Sequence, residues 1–422
     1  MSAVPPPAAP SERPSPGALA LPTFRLLLVA AAAASFAGRS LAVIIGFQVY
    51  QLTRDPLALG LLGLVEAIPA LSLALFGGYV ADQYNRRSIV LVTRFMLVLC
   101  LLALTLVSLG GAATSVLALY AVIFVAGIAR GFAEPAFSGL EAQIVPRAQA
   151  INASVWLSSA GQTAGVLGPA AAGFAYDGLG PVVTYAAIAA LYGVCWLAVL
   201  ALPRPPSVRT GAREPMWQSI GEGVRFVFRS QVFLGAMALD LFAVLFGGAM
   251  ALMPVFAKDL LQVGPIGLGF LVAAPAVGSL SVMLWSTWRP PVANAGRNLM
   301  LAVSGFGVTM IVFGLSQSFW LSLVALMFSG VFDGISVVIR RAILRLLSPE
   351  QMRGRIAAVN SVFIGSSNEI GALESGVAAS LLGARPAVWL GGIVTLLIVA
   401  AAAWRAPELR RLKIAAVPVR SG

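Results

Sequence analysis

Eight ionisable residues sit inside long apolar runs of this sequence: Arg39, Glu66, Arg130, Glu134, Asp240, Asp333, Glu369 and Glu374. An ionisable group within a membrane-spanning helix costs at least about 2.5–3.5 kcal/mol on insertion scales, so each must be paired or functional. Guanidinium and carboxylate groups can do two things in such a place. They can hold helices together as ion pairs, and the carboxylates can take up and release protons. The chain has no His. Without the side chain that ordinarily titrates near neutrality, carboxylates are left as the proton carriers.

The sequence leaves two readings open at each position. Arg130 and Glu134 have the i,i+4 spacing of a local ion pair, or they meet a substrate. Asp240 either pairs with an Arg at the membrane edge or carries protons. Arg39 lies nearest the middle of its run, which suits interhelical pairing or a direct role. Glu66 precedes Ala67-Ile68-Pro69, so a carboxylate beside a proline kink suits a gating element or, equally, a buried pair. Glu369 and Glu374 point about 140° apart around a helix and do not both face one cavity. Glu374 stands beside Ser375 and Gly376, where a packing role is the alternative.

These charges must be positioned by membrane helices. Hydrophobic residues make up 59% of the chain and charged residues 10%, against about 25% charged in soluble domains. A crossing helix takes about 20 apolar residues. Twelve runs qualify, at 24–50, 57–81, 88–110, 114–138, 151–175, 181–202, 231–257, 265–288, 298–316, 319–345, 356–382 and 386–404. The fold class expected is therefore an all-α membrane protein with twelve transmembrane helices in two six-helix halves.

A net charge of +12 would suggest nucleic acid in a soluble protein, but cytoplasmic loops of membrane proteins collect Lys and Arg. With the N-terminus inside, 23 of the 28 Lys and Arg fall on inside loops or inner helix ends, and only Arg54, Lys258 and Arg385 fall outside. That bias predicts both termini on the cytoplasmic side. The predicted layout is a disordered cytoplasmic tail (1–22), a first half (23–203), a linker (204–230), a second half (231–405) and a second tail (406–422). Within the linker, Trp217, Ile220, Val224 and Val227 or Phe228 recur at helical spacing, the pattern of an amphipathic surface helix. Cys100 and Cys195 lie inside apolar runs and read as small apolar residues. No nucleophile–base pair and no phosphate-binding glycine loop after a strand is visible, so neither enzymatic activity, ATP coupling, a cofactor nor a metal is expected.

The turn between the second and third runs holds Gly77-Gly78-Tyr79-Val80-Ala81-Asp82-Gln83-Tyr84-Asn85-Arg86-Arg87. Gly78 and Asp82 share a helix face, and the glycine would admit a close neighbour. Asn85 falls where the chain turns sharply and tolerates the left-handed conformation. The fifth run holds Gly161, Gly165, Gly168-Pro169 and Gly173; glycines four apart permit tight packing, and Pro169 predicts a kink. A shift of 208 residues sets Asn152 on Asn360, Ser158-Ser159 on Ser366-Ser367 and Gly168 on Gly376. The fifth run thus matches the eleventh, as parallel halves require.

Twelve runs in six-plus-six form, the central linker and the charged turn resemble the major facilitator superfamily. Gly78, Asp82, Arg86 and Arg87 fit that superfamily's loop motif, while Gln83 stands in place of a basic residue and Asn85 in place of Gly. The resemblance implies that this loop is a gate latch, with Asp82 pairing in the outward-open state. The equivalent loop of the second half, Trp288 to Arg297, has no acid, so the latch is asymmetric. The Gly161–Gly173 stretch is similar to the glycine–proline motif of exporters and antiporters. Together with Ala129–Ala136, Ile144–Arg147 and Ser367–Gly376, it resembles the bacterial drug- and siderophore-exporter branch.

What the resemblance implies is proton-coupled efflux of an amphipathic organic compound, a drug or siderophore-like molecule, by a monomer in the bacterial inner (plasma) membrane, with the proton gradient as energy source and no nucleic acid partner. In that fold, spans one, four, seven and ten line the cavity. Arg39 and Arg130 in the first half would then pair with Asp240 and Asp333 in the second, and neutralisation would part them. Rival expectations on the same fold are nutrient import, divalent-metal export, or a non-transporting receptor or scramblase.

Overall fold

The helices of this chain start and stop at identifiable residues. Asp55 accepts a hydrogen bond from the Leu57 amide and Pro56 occupies the first helical position, which together open the second helix. Ser115 and Ser230 cap two further helices through the amides of Ala118 and Phe233. Arg54 ends the first helix in the left-handed conformation at φ 55°, and Gly383 at φ 90° separates the last two long helices.

The computed structural model describes residues 17–204, 216–289, 291–349 and 352–414. The first helices are α1 (Pro22–Thr53), α2 (Pro56–Gln83), α3 (Arg86–Ser108) and α4 (Val116–Ile144). The stretch Ala150–Ala201 is broken at Gly180, φ 75°, into α5 (150–179) and α6 (181–201). After α7 (Met216–Arg229), α8 (Gln231–Gly247) continues through the 3-10 turn Ala249–Leu252 to the π-helical turn Phe256–Leu260. Then come α9 (Gly264–Ser286), α10 (Ala295–Leu315), α11 (Phe319–Leu347), α12 (Arg353–Leu382), α13 (Ala384–Arg405) and the short α14 (Pro407–Arg410).

Among the described residues ten stretches are long and apolar enough to cross a membrane, and one of them, Ala150–Ala201, has the length for two crossings. The 30-residue α12 completes the twelve; its lower apolarity reflects Asn360, Asn368, Glu369 and Glu374. The described residues contain no strand. The protein is a multi-pass, all-helical membrane protein.

The crossings group as α1–α6 and α8–α13. Within the first half, α1 packs on α5 and α2 on α4; within the second, α9 packs on α11 and α10 on α13. The most extensive contacts between the halves are α5 with α9 and α2 with α12. Both depend on absent side chains, as close approach in a bilayer requires. A Cβ at Gly173 would strike the Pro265 carbonyl, and one at Gly269 would lie 2.6 Å from the Pro169 carbonyl oxygen. On the other side, a Cβ at Gly376 would lie 2.9 Å from Gly60 Cα. Span five against eight and span two against eleven are the two contacts that parallel halves exchange.

Several local expectations are corrected. Asn85 is extended, not left-handed (φ −64°, ψ 112°), and caps α3 through the Ser88 amide. The close approach expected of Gly78 is made by Gly77, whose face lies on the Gly131 carbonyl and Phe132 Cα of α4; Gly78 has open space. The φ/ψ angles stay helical through Pro169, and the break between the fifth and sixth runs falls at Gly180. Residues 1–16 and 415–422 lie outside the described residues, but both expected tails begin too generously. Ala18–Ala20 form a 3-10 turn in which Ala18 is buried and its amide donates to Asn152 Oδ1 at 2.9 Å, and Leu409 of α14 is fully buried. In α7 it is Val227 that is buried, while Val224 and Phe228 are exposed. The Phe226 ring meets the Phe233 ring edge-on at 5.5 Å, so the buried side of α7 runs through Phe226 and, on the predicted face, Val227. The side chains of Trp217 and Ile220 lie outside the described residues.

Candidate functional site

Charge placement in the first half follows from two glycines. Gly127 and Gly131 flank Arg130 on α4. A Cβ at Gly127 would strike the Glu66 carbonyl oxygen and lie 2.8 Å from Pro69 Cγ; one at Gly131 would lie 3.0 Å from the Ala70 carbonyl oxygen and Leu73 Cβ. With both missing, α2 settles onto α4 and the Glu66 carboxylate forms an ion pair with Arg130. Glu134 is not the partner of Arg130. It lies 3.8 Å from Arg94, a residue of α3 that the sequence placed among the inner-end cations but that is only 5% exposed. The Arg94 guanidinium also faces the rings of Phe137 and Tyr192, at 5.8 and 6.0 Å.

The second half repeats the frame with the opposite charge. Gly330 and Gly334 flank Asp333 on α11. A Cβ at Gly330 would strike the Pro275 carbonyl, one at Gly334 would lie 3.1 Å from Ser279 Cα, and Ser279 donates to the Gly330 carbonyl at 2.9 Å. Here the neutralising group is on the same helix. Arg340 is buried, forms an ion pair with Asp240 of α8, and lies 3.9 Å from Asp333. Its Nε donates to Ser336 Oγ at 3.2 Å.

The expected pairing of Arg39 and Arg130 with Asp240 and Asp333 across the halves is not made in this arrangement. Arg130 pairs with Glu66 and Asp240 with Arg340, each within its own half. Arg340 was not singled out in the sequence because it stands in a run with Arg341 and Arg345 that reads as a cytoplasmic helix end. Its distinguishing signal was seven-residue spacing from Asp333, which places both on one helix face.

The remaining candidates divide. Arg39 is exposed to the interior and has no ion pair or hydrogen bond among the described residues. Its Cβ would be 3.1 Å from a Cβ at Gly168, so the fifth-run motif seats α5 on α1 beside it; Gly165 faces Ala276, Gly173 faces Pro265 and Gly161 faces open space. Glu369 of α12 reaches across to α2, with Oε2 3.5 Å from where a Cβ at Gly63 would be. It is close enough to Glu66 and Arg130 to feel both charges. Glu374 accepts a 3.5 Å hydrogen bond from Ser375, which itself also lies 3.1 Å from the Gly248 carbonyl. Of the loop residues, Arg86 donates to the carbonyls of Ala81 and Gly139 at 3.1 Å. Arg87 donates to those of Val199 and Leu200 at 3.2 and 2.6 Å. Both cap helix ends, where cations are favourable. The side chain of Asp82 lies outside the described residues. No group of three or more metal-binding side chains is found among the described residues.

These residues surround two adjoining cavities. One, of about 860 Å³, is lined by Arg39, Arg94, Arg130, Glu134 and Arg341 among smaller side chains. The other, of about 530 Å³, shares Arg39 and Arg341 and adds Asp240, Asp333 and Arg340. The larger touches α1 at 31–42 and α2 at 70–74, on the side of mid-bundle toward the α2–α3 turn. At the opposite end the halves are tied. Asp259 accepts from Tyr50 at 2.5 Å and from Arg54 at 2.6 Å, and Lys258 lies over the Phe47 ring at 5.6 Å. No residue pattern points to this tie, because Asp259 is 205 positions from Arg54 in the chain and sits at a helix end.

Residues 15–419 match the family described as transmembrane secretion effector. The chain belongs to that family, and with it to the major facilitator superfamily. Among curated relatives of this secretion effector, the enterobactin exporter EntS of Shigella flexneri is 24% identical over 335 residues, 79% of this chain and 80% of its own length. EntS of Escherichia coli O139:H28 matches equally. Solved structures share the fold at lower identity. The D-xylose–proton symporter matches with a TM-score of 0.71 and 15% identity over 93% of this chain and 99% of its own. A bacterial homologue of the human lysosomal transporter Spinster, inward-facing and unoccupied, gives 0.70 and 15% over 93% and 98%. The secretion effector is a membrane transporter of the exporter type.

Proposed function

We propose that this transporter expels amphipathic organic compounds, drug- or siderophore-like, from the cytoplasm in exchange for protons. The observation that carries the reading is the cavity of about 860 Å³ between the halves, apolar over much of its wall and studded with ionisable groups. Greasy walls suit an organic body, and charges confined to a few points suit orientation and coupling. The tie of Tyr50 and Arg54 to Asp259 supports an inward-facing arrangement in the bacterial inner membrane. In it, both termini lie in the cytoplasm and a monomer suffices.

Proton coupling is assigned to the carboxylates of the adjoining smaller cavity and of the α2–α12 joint. Asp240 and Asp333 share one guanidinium, Arg340, so one carboxylate charge is left over and protonation would release it. Glu369 stands at the α2–α12 joint between the halves, close to Glu66 and Arg130. In our reading Arg39, Glu66, Arg130 and Glu374 serve substrate binding or coupling. Gly78, Asp82, Arg86 and Arg87 serve the gate at the α2–α3 turn, and Gly161 to Gly173 guide α5 against α1 and α9. The resemblance of EntS, named as an enterobactin exporter, supports export over import.

The test is purified protein in liposomes under an imposed pH gradient, challenged with dyes, drugs, siderophores and metal ions. Gradient-driven movement of amphipathic organic compounds, reduced in Asp240→Asn and Glu369→Gln, is expected. Movement of metal ions alone, or of nutrients with the proton flow, would replace this reading by one of its rivals, and no movement at all would point to a receptor or scramblase.

A further inference from the structure

The larger cavity has a charge imbalance that the ion pairs do not remove. Arg130 is matched by Glu66. Arg94 has only Glu134 at 3.8 Å, and that carboxylate is 75% exposed. The Arg94 Nε is buried with no hydrogen-bond acceptor, although the side chain lines the cavity. Arg39 and Arg341 line both cavities and have no ion pair or hydrogen bond among the described residues. A guanidinium always carries its charge. Three of them thus line one cavity inside a low-dielectric body, two without a counter-charge among the described residues and one with only an exposed carboxylate at 3.8 Å, where unmatched charge is costly.

We infer that Arg39 and Arg94 of the first half and Arg341 of the second form an anion clamp across the cavity, and that the transported compound is an amphipathic organic anion. This inference rests on the efflux reading of the same cavity. Guanidinium forks match carboxylate, sulfonate, phosphate or ionised phenolic oxygens in paired hydrogen bonds. The side chains of Ala34, Leu71, Phe137 and Met283 on the same wall give the organic body an apolar bed. Because Arg39 and Arg341 sit on different halves, a bound anion bridges them. It thereby supplies around the cavity a cross-half charge pairing that Glu66, Glu134, Asp240 and Asp333, each engaged within its own half, do not make.

The experiment uses the full chain in lipid nanodiscs, with binding of the organic anion carboxyfluorescein and of the cation rhodamine 6G read by fluorescence anisotropy against empty discs. Saturable binding of the anion and not of the cation is expected. Arg39→Gln and Arg341→Gln should each weaken it roughly ten- to a hundredfold, the worth of a hydrogen-bonded charge. Arg39→Lys and Arg341→Lys should lose less, which separates charge from folding. Cation binding as tight as anion binding, or anion binding unchanged in either Gln variant, would overturn the clamp. The same dye under a pH gradient in liposomes separates the two readings. Arginine-dependent binding without gradient-driven movement would overturn efflux and leave the clamp. Gradient-driven movement of other compounds, without arginine-dependent anion binding, would do the reverse.

Discussion

The helices α4 and α11 occupy equivalent places in the two halves and carry the same local frame, a charged residue between two glycines. In α4 the frame is Gly127, Arg130 and Gly131; in α11 it is Gly330, Asp333 and Gly334. In both, a neighbouring helix lies directly on the glycines, α2 on one and α9 on the other. The difference is in neutralisation. Arg130 meets its carboxylate across the glycine contact, from Glu66 of α2, one charge to one. Asp333 finds its guanidinium on its own helix, and Arg340 divides itself between Asp333 and the more closely held Asp240. The Arg130–Glu66 pair is balanced, and the Asp240–Asp333–Arg340 cluster has one more carboxylate than guanidinium. The same packing device thus builds a one-to-one pair on one side and a carboxylate-rich cluster on the other.

The comparison can be broken in graded ways. Removing Arg340 should have the largest effect. Arg340→Gln leaves Asp240, 7% exposed, without its cation and should cost about 3–5 kcal/mol, read as a lowered melting temperature in detergent. Adding Asp240→Asn should restore most of the loss, and failure to do so would remove the pair as the cause. In the first half, Gly127→Ala should cost about 1–3 kcal/mol by overpacking. It should also loosen the Arg130–Glu66 pair, whereas Gly334→Ala, with 3.1 Å to Ser279 Cα, should cost less. Glu66→Gln should cost about 1–3 kcal/mol, because Arg130 is partly open to the cavity and keeps some hydration. The smallest effect on stability is expected at the far end. Asp259→Asn breaks an exposed pair worth about 0–1 kcal/mol. The same change should shift the equilibrium toward an open far end, seen as faster labelling of a Cys placed at Gln51, and unchanged labelling would remove Asp259 from the gate.

Much of this was legible in the residues. Apolar runs set the twelve crossings to within a few positions, because a bilayer demands both length and apolarity. The in-membrane charges Glu66, Arg130, Asp240 and Asp333 stood out for the same reason. Their partners did not. Arg340 lies in a basic stretch that composition assigns to a helix end, and Arg94 was hidden in the same way near the start of α3. Pairing depends on which helices touch, and that was written in glycines such as Gly127 and Gly77, whose contacts no local pattern reveals. For Asn85, the turn residue was recognised but its work, capping α3, needed the backbone geometry.

The central claim is that the Asp240–Asp333–Arg340 cluster couples protons to efflux. The most direct measurement is internal pH, followed with trapped pyranine in proteoliposomes, when a transported dye is added outside. In the parent protein the account predicts dye-dependent proton movement. In Asp240→Asn and Asp333→Asn, it predicts that proton movement is lost while exchange of labelled for unlabelled dye continues. Dye-dependent proton movement that survives in the variant carrying both substitutions would contradict it.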